Sequence, residues 1–218
     1  MTKSDAGAMR TAIMLAAMSH VPFDGWGEAS LLRGAADAGY DAATARRLFP
    51  QGAPDLIACH SHYADRLMLE ELAERGLESM KIRDRIATAV RVRLEQNMAH
   101  REAIRRALAL LALPQNGGLA TRLLYRTVDA MWHAAGDTST DHNFYTKRGL
   151  LAGVYGATLL CWLNDNSEGF ATTWAFLDRR IAEVMRIPKA LAGIGRLAGR
   201  LPDPFRILRN VTRPAPRT

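Results

Sequence analysis

The amino-acid sequence predicts an all-α fold, and two observations carry that prediction. Apolar residues recur at spacings of three and four along most of the 218 residues, which is the period of an amphipathic helix. No run of alternating apolar and polar residues lies between turn residues, as a half-buried strand would require. Gly and Pro interrupt the pattern and divide the chain into helices and a tail. The predicted helices span residues 7–19, 27–38, 42–48, 54–75, 79–95, 98–112, 118–134, 140–163 and 167–185.

The composition is that of a globular domain, with 48% hydrophobic and 23% charged residues. Cys59 and Cys161 lie in predicted helices without a CxxC motif, which is typical of buried thiols in a reducing compartment. The first residues contain neither an apolar signal segment nor an Arg-rich transit segment, which favours a cytoplasmic bacterial protein. The longest apolar run, residues 149–163, is shorter than the roughly 20 residues that cross a bilayer. We therefore expect a core helix there.

The formal net charge of +7 is concentrated at one end of the chain. Residues 186–218 contain eight of the 29 basic residues and one of the 22 acidic residues, so residues 1–185 carry 21 of each sign. A charge excess spread over the whole chain would favour a nucleic-acid partner. This distribution instead makes the tail the basic element of an otherwise neutral protein.

The first three predicted helices have the order and spacing of a helix-turn-helix module. Gly25-Trp26, Ala36-Asp37-Ala38-Gly39 and Phe49-Pro50 resemble the N-terminal module of TetR-type transcription regulators. The resemblance implies a TetR-like helical bundle. Residues 1–52 would then form a three-helix module and residues 53–185 a ligand-binding and dimerisation domain.

The third helix of that module is poorly suited to DNA. A recognition helix needs basic and hydrogen-bonding side chains that reach phosphates and base edges. This helix begins with Asp41, carries alanines at the base-reading positions, and offers only Arg46 and Arg47 to phosphate. Gln51 follows the Phe-Pro pair where the regulators usually have Lys. We expect DNA binding to be lost, and a ligand-responsive DNA-binding regulator remains the alternative.

No known catalytic or metal-binding motif is present. The sequence lacks GxSxG, GxxxxGK and HExxH, and no Glu precedes a His by three residues. His60 and His62 are two residues apart and so point to different helix faces, whereas Asp129 and His133 share a face and favour a surface pair. We expect no catalytic residue, no metal and no cofactor other than a bound lipid. An enzyme whose site is assembled from scattered polar residues remains a third possibility.

Residues 131–180 contain the most distinctive segments of the chain. They are Gly-Asp-Thr-Ser-Thr-Asp at 136–141, Phe-Tyr-Thr-Lys-Arg at 144–148, Asn-Asp-Asn-Ser at 164–167 and Thr-Trp-Ala-Phe-Leu-Asp-Arg-Arg at 173–180. These segments resemble the ninth coenzyme Q (ubiquinone) biosynthesis protein family, and the likeness extends over nearly the whole chain. The resemblance implies an accessory protein without catalysis of its own. It also implies a homodimeric TetR-like fold that has lost DNA binding and an apolar cavity for a phospholipid or polyprenyl quinone intermediate.

The same resemblance implies a surface patch that docks the demethoxyubiquinone hydroxylase. Phe144 and Tyr145 are adjacent and diverge by about 100° on a helix, so both are buried only if one meets a partner. A capped turn whose aromatic residues pack in the core is the alternative. Phe144 stands where some family members have Trp. Mapped onto this sequence, the patch comprises Asp137, Asp141, Phe144, Tyr145, Lys147 and Arg148.

The helix at residues 149–163 is apolar nearly all round and must be enclosed by other helices. Its glycines, Gly149, Gly153 and Gly156, allow either close helix packing or open volume. If a cavity exists, periodicity predicts its lining from three neighbouring helices. The predicted lipid-binding residues are Leu124, Val128, Met131, Leu151, Tyr155, Leu159, Trp174 and Leu177.

The tail from residue 186 predicts an amphipathic helix with a basic polar face. Such a helix suits an anionic membrane surface, here the inner membrane, or the matrix side of the membrane in a mitochondrion. A helix packed on the protein body is the alternative. The predicted membrane-binding residues are Ile187, Lys189, Leu191, Ile194, Arg196, Leu197, Arg200 and Leu201.

Overall fold

The computed structural model of the chain describes residues 3–137 and 142–185, with side chains from residue 5 in the first range and from residue 145 in the second. No strand occurs in these residues, so the all-α prediction is confirmed. Short 3₁₀ turns lie at Met98–His100, Pro114–Asn116 and Glu168–Phe170. The α-helices are α1 Lys3–Ala17, α2 Val21–Asp24, α3 Glu28–Asp37, α4 Ala42–Leu48, α5 Ala53–Arg75, α6 Ile82–Glu95, α7 Arg101–Leu111, α8 Gly117–Ala134, α9 His142–Asn164 and α10 Ala171–Val184.

Helices α1 to α4 form the helix-turn-helix module, and close contact between α1 and α3 depends on Gly34. A Cβ atom at Gly34 would lie 2.5 Å from the backbone nitrogen of Ala17, so only glycine allows the two helices to approach this closely. The Asp41 carboxylate caps α4 by accepting a hydrogen bond from the Thr44 amide at 2.7 Å. These contacts hold together the helices that the sequence predicts for the module.

A single hydrophobic core joins this module to the rest of the bundle. Ile13 and Phe49 of the module, Leu56 of α5 and Leu123 of α8 are buried in one cluster. The Trp26 indole also donates to the Ala103 carbonyl of α7 at 2.7 Å. The hydrophobic core therefore continues across residue 52, where the sequence predicts a domain boundary.

Helix α8 is central to the second half of the bundle, because it contacts α5, α6, α7 and α9. The chain divides into two compact units, Met1–Asp178 and Arg179–Thr218. Of the second unit, the structure describes residues 179–185. None of the helices in the described residues is both long and apolar enough to cross a membrane.

The segment that joins α9 to α10 is built around Asp165. Its carboxylate accepts hydrogen bonds from the amide and hydroxyl of Ser167 at 2.8 and 2.6 Å, and from the amide and hydroxyl of Thr173 at 2.8 and 2.6 Å. These hydrogen bonds, from the Ser167 hydroxyl first, hold the pKa of Asp165 well below its usual range. Arg101 closes the end of α9 by donating to the carbonyls of Trp162 and Asp165 at 2.7 and 2.9 Å. The distinctive Asn-Asp-Asn-Ser and Thr-Trp segments thus hold the start of α10 against the end of α9.

Candidate functional site

A cavity of about 420 Å³ lies between α5, α6, α7, α8 and α9. Most of its wall is apolar, and each of these five helices contributes two or more residues to it. Such a volume lies in the range of about 300–1,000 Å³ that is usual for small-molecule sites. The apolar lining consists of Ile57, Leu94, Ile104, Ala107, Leu108, Leu111, Ala112, Ala120, Leu123, Leu124, Gly156, Leu159 and Leu160.

One end of the cavity is polar and buried. Here its wall contains His60, Arg93, Asn97, Thr127 and Tyr155, and His60, the most exposed of the five, is only 9% exposed. We call these five residues the polar floor. The Asn97 amide donates to the Arg93 carbonyl at 2.7 Å, which fixes the side chain of Asn97 at the end of α6.

Asp65, which lies behind the polar floor on α5, anchors two of its residues. One carboxylate oxygen of Asp65 accepts hydrogen bonds from Arg93 Nε at 3.0 Å and from the Thr127 hydroxyl at 2.9 Å. Burial lowers the pKa of His60 to about 3, with further lowering by the charges of Arg93 and His100, so this imidazole is neutral at physiological pH. Burial also raises the pKa of Tyr155, which keeps its hydroxyl protonated.

The other end of the cavity is apolar and open. Leu160 is 57% exposed, and Leu108, Leu111 and Leu124 are half-buried. We call this end the apolar mouth. Thus five of the six polar residues of the wall are buried, Ser61 is half-buried, and the exposed residues of the wall are apolar.

A network of ion pairs joins the end of α8 to the first turns of α9. Arg148 donates from Nε to Asp129 at 2.6 Å and from Nη1 to Asp137 at 3.3 Å, and Lys147 donates to the other Asp137 oxygen at 2.7 Å. The Trp132 indole donates to the Lys147 carbonyl at 3.1 Å. We call this set the α8–α9 network. The spacing in the sequence predicted a pair between Asp129 and His133. In the structure Asp129 pairs with Arg148 instead.

The two arginines of α4 are held within the module. Arg46 donates from Nε and Nη2 to the Glu28 carboxylate at 2.9 and 2.7 Å. Arg47 donates to the Thr44 hydroxyl at 3.4 Å. An acidic partner therefore compensates the charge of Arg46.

Comparison with known proteins shows where this bundle belongs. A family model described as COQ9 matches residues 118–188. The ubiquinone biosynthesis protein COQ9, mitochondrial, of Rattus norvegicus is 38% identical over 181 residues, which cover 80% of this chain and 58% of the rat protein. The Homo sapiens protein of the same name is 36% identical over 181 residues, covering 80% and 57%. The chain belongs to the COQ9 family. It spans a little over half the length of these relatives.

A solved structure shows the same fold. The TetR transcriptional regulator from Nitrosomonas europaea ATCC 19718 aligns with a TM-score of 0.66 and 22% sequence identity, covering 82% of this chain and 98% of the regulator. At this identity the likeness concerns the fold alone. Both sequence-based predictions, the family and the TetR-like bundle, are confirmed.

The COQ9 family model includes α8, α9 and much of the cavity wall, and the structure separates the predicted lipid-binding residues into two groups. Leu124, Tyr155 and Leu159 line the cavity. Val128, Met131, Leu151 and Leu177 are buried in the protein interior but are not among the residues that line it. Trp174 is half-buried, donates to the Gly169 carbonyl at 2.8 Å and lies under the Arg91 guanidinium at 4.8 Å. Periodicity identified buried positions without showing which of them face empty space.

The predicted docking residues are placed unevenly. Tyr145 is 72% exposed. The side chains of Asp137 and Arg148 are only 5% and 6% exposed, so they hold the α8–α9 network together instead of forming the surface that the sequence had predicted. Lys147 is partly exposed within that network. Asp141 and the side chain of Phe144 lie outside the described residues, as do all the predicted membrane-binding residues from Ile187 to Leu201.

Proposed function

We propose that this COQ9-family chain is an accessory protein of ubiquinone biosynthesis. It holds a lipid or polyprenyl quinone intermediate in its cavity and presents it to the demethoxyubiquinone hydroxylase at a membrane, without catalysing a step itself. The relatives are named ubiquinone biosynthesis proteins, which supports the pathway. The observation that carries the proposal is the apolar cavity of about 420 Å³ between five helices.

The cavity suits part of a lipid better than a whole one. Its apolar wall removes hydrocarbon from water, which stabilises a bound chain by roughly 25 cal/mol for each Å² buried. A polyprenyl chain of several dozen carbon atoms exceeds a volume of about 420 Å³. The remainder of such a chain would leave through the apolar mouth, where Leu160 is exposed. This arrangement supports presentation of the ligand at a membrane surface.

The proposed docking surface is centred on Tyr145. Exposed tyrosines carry much of the binding energy at protein interfaces, because they bury a large area with few rotatable bonds. The α8–α9 network fixes the first turns of α9 and so holds Tyr145 in place. Within the proposed patch, Asp137 and Arg148 therefore act as positioning residues. Lys147, Asp141 and Phe144 complete the patch.

Two further parts of the proposal concern assembly. The basic tail would bring the protein to an anionic membrane, and deletion of residues 186–218 should abolish flotation with anionic vesicles. Flotation that persists after this deletion would assign membrane binding to another part of the chain.

We also propose a homodimer, as the family resemblance implies. Sedimentation equilibrium should give twice the chain mass of 24.0 kDa.

A cavity-filling variant tests the function in cells. Gly156 lines the cavity and has no neighbouring atom within 4 Å of where a Cβ would lie, so Gly156→Phe places a ring in the cavity. Gly118 has the same open surroundings but is exposed outside the cavity, so Gly118→Phe is the matched control. Cells that depend on Gly156→Phe should lose ubiquinone and accumulate demethoxyubiquinone. Normal ubiquinone with a folded Gly156→Phe protein would refute the proposal.

A further inference from the structure

We propose that the cavity takes its ligand head first, with a neutral, oxygen-bearing ring at the polar floor and the hydrocarbon tail leaving through the apolar mouth. This inference rests on the proposed function, because it requires that the cavity holds a lipid. It adds the orientation of that lipid and the chemistry of its head group.

The order of side chains along two helices supports this orientation. On α8 the lining runs from Thr127 at the floor to Leu124 and then to Ala120, over seven residues or about 10 Å. On α9 it runs from Tyr155 at the floor to Leu160 at the mouth. Both helices thus change from polar to apolar in the same direction, from the closed end to the open end.

The polar floor also has hydrogen-bond donors to spare. Arg93 uses Nε for Asp65, and its two terminal nitrogens donate to no other described residue. The Tyr155 hydroxyl likewise makes no hydrogen bond within the described part of the chain. Donors that line a buried cavity are costly to leave unpaired, so a ligand with acceptor oxygens is stabilised at this end.

The charge of the floor selects among such ligands. Asp65 lies 3.0 Å from Arg93 and compensates its charge, and His60 is neutral because its pKa is about 3. A phosphate or diphosphate group would therefore bring a net negative charge into a buried site that has no excess cation. Carbonyl, methoxy or hydroxyl oxygens on a ring would accept hydrogen bonds without that penalty. The floor favours a quinone or phenol over a phosphorylated isoprenoid or a phospholipid.

Three probes that share a decyl tail separate these head groups. They are a dimethoxy-methyl-benzoquinone, a benzene ring without oxygen, and a phosphate, each delivered from cyclodextrin and measured by calorimetry against the full-length protein. We expect the quinone to bind most tightly and the phosphate most weakly. Equal binding of quinone and decylbenzene, or tighter binding of decyl phosphate, would overturn the inference while leaving lipid binding intact. If none of the three binds, the proposed function itself fails.

A conservative variant tests the floor directly. Tyr155→Phe removes the hydroxyl and keeps the ring, and it should weaken quinone binding about 2- to 10-fold without affecting decylbenzene. Tyr125 lies on the same helix as Thr127 but outside the cavity and is 44% exposed, so Tyr125→Phe is the control and should change neither affinity. Unchanged quinone binding in Tyr155→Phe would count against head-first binding.

Cross-linking measures the orientation itself. A quinone with a diazirine at the end of its tail should label residues 104–112 or 159–160, which lie toward the mouth. Labelling of residues 57–61 or 93–97 would place the tail at the floor and overturn the proposal.

Discussion

Asp65 and Arg93 form an ion pair in the protein interior, with 3.0 Å between a carboxylate oxygen and Nε and side-chain exposures of only 4% and 7%. The pair joins α5 to α6 directly behind the cavity. Arg93 also belongs to the cavity lining, so the pair connects the polar floor to α5. The other Asp65 oxygen has no hydrogen-bond partner among the described residues, so the pair depends on a single carboxylate oxygen.

Breaking this pair from one side should destabilise the fold strongly. Asp65→Leu leaves a buried guanidinium without a counter-charge, and we expect the free energy of unfolding to fall by about 3–5 kcal/mol in urea titrations. The double variant Asp65→Leu, Arg93→Met should recover most of that loss, because both charges are then removed. Glu70→Gln, which removes an exposed ion pair with Arg66 at 3.6 Å, should change stability by less than about 1 kcal/mol. A small effect of Asp65→Leu alone would contradict a buried pair.

Acidification should destabilise the protein through His60. Its pKa of about 3 in the folded protein lies below the usual value of 6.5, so between these values the unfolded chain binds the proton and the folded chain does not. Stability is therefore lost as the pH falls below 6.5, by about 2 kcal/mol at pH 5 from this residue. His60→Gln should flatten the dependence of the unfolding free energy on pH between 7 and 5. An unchanged slope would mean that His60 titrates normally in the folded state.

The contact of α1 with α3 should tolerate no side chain at Gly34. A methyl group there would meet the backbone of Ala17 at 2.5 Å, so Gly34→Ala should lower the unfolding free energy by about 1–3 kcal/mol. Gly118→Ala makes the same change at an exposed position of α8 and should raise stability by up to about 1 kcal/mol. Equal thermal midpoints for the two variants would contradict the close approach.

Docking should depend on Tyr145 more than on other exposed tyrosines. We expect Tyr145→Ala to weaken binding to the demethoxyubiquinone hydroxylase roughly 10-fold or more while leaving the unfolding transition unchanged. Tyr125, 44% exposed on α8, provides the matched control. Surface plasmon resonance with the hydroxylase immobilised measures both. Equal losses for the two variants would remove the proposed patch.

Helix positions were largely predictable from the sequence because a period of 3.6 residues repeats over long segments. The predicted span 42–48 matches α4, and 54–75 differs from α5 by one residue. Helix α2 lies between the predicted helices 7–19 and 27–38, where Pro22 predicts a break. Proline is tolerated in the first turn of a helix, which is where Pro22 lies.

The cavity was predictable only in part, because a hydrophobic pattern marks burial and does not distinguish a packed neighbour from empty space. Leu124 and Val128 are one turn apart on α8, and only Leu124 meets the cavity. Of the polar floor only Tyr155 was predicted, although the sequence contains a signal for the rest. Asp65 lies three residues before Met68 and seven before Leu72, on the buried side of α5. A charged residue in an apolar stripe needs a buried partner, and Arg93 supplies it.

The docking patch shows the opposite limitation. The family resemblance implied that Asp137 and Arg148 lie in a surface patch, where charged residues are usually found. Their burial depends on an ion pair between the turn that follows α8 and the second turn of α9, eleven residues apart along the chain. Sequence spacing does not reveal such a pair.

The most direct measurement is mass spectrometry of the small molecules released when the purified protein is denatured. We predict a polyprenyl quinone or phenol in near-equal amount to the protein, present in the wild type and in Gly118→Phe and lost in Gly156→Phe. Equal amounts in all three proteins, or no isoprenoid in the wild type, would contradict a lipid-holding cavity.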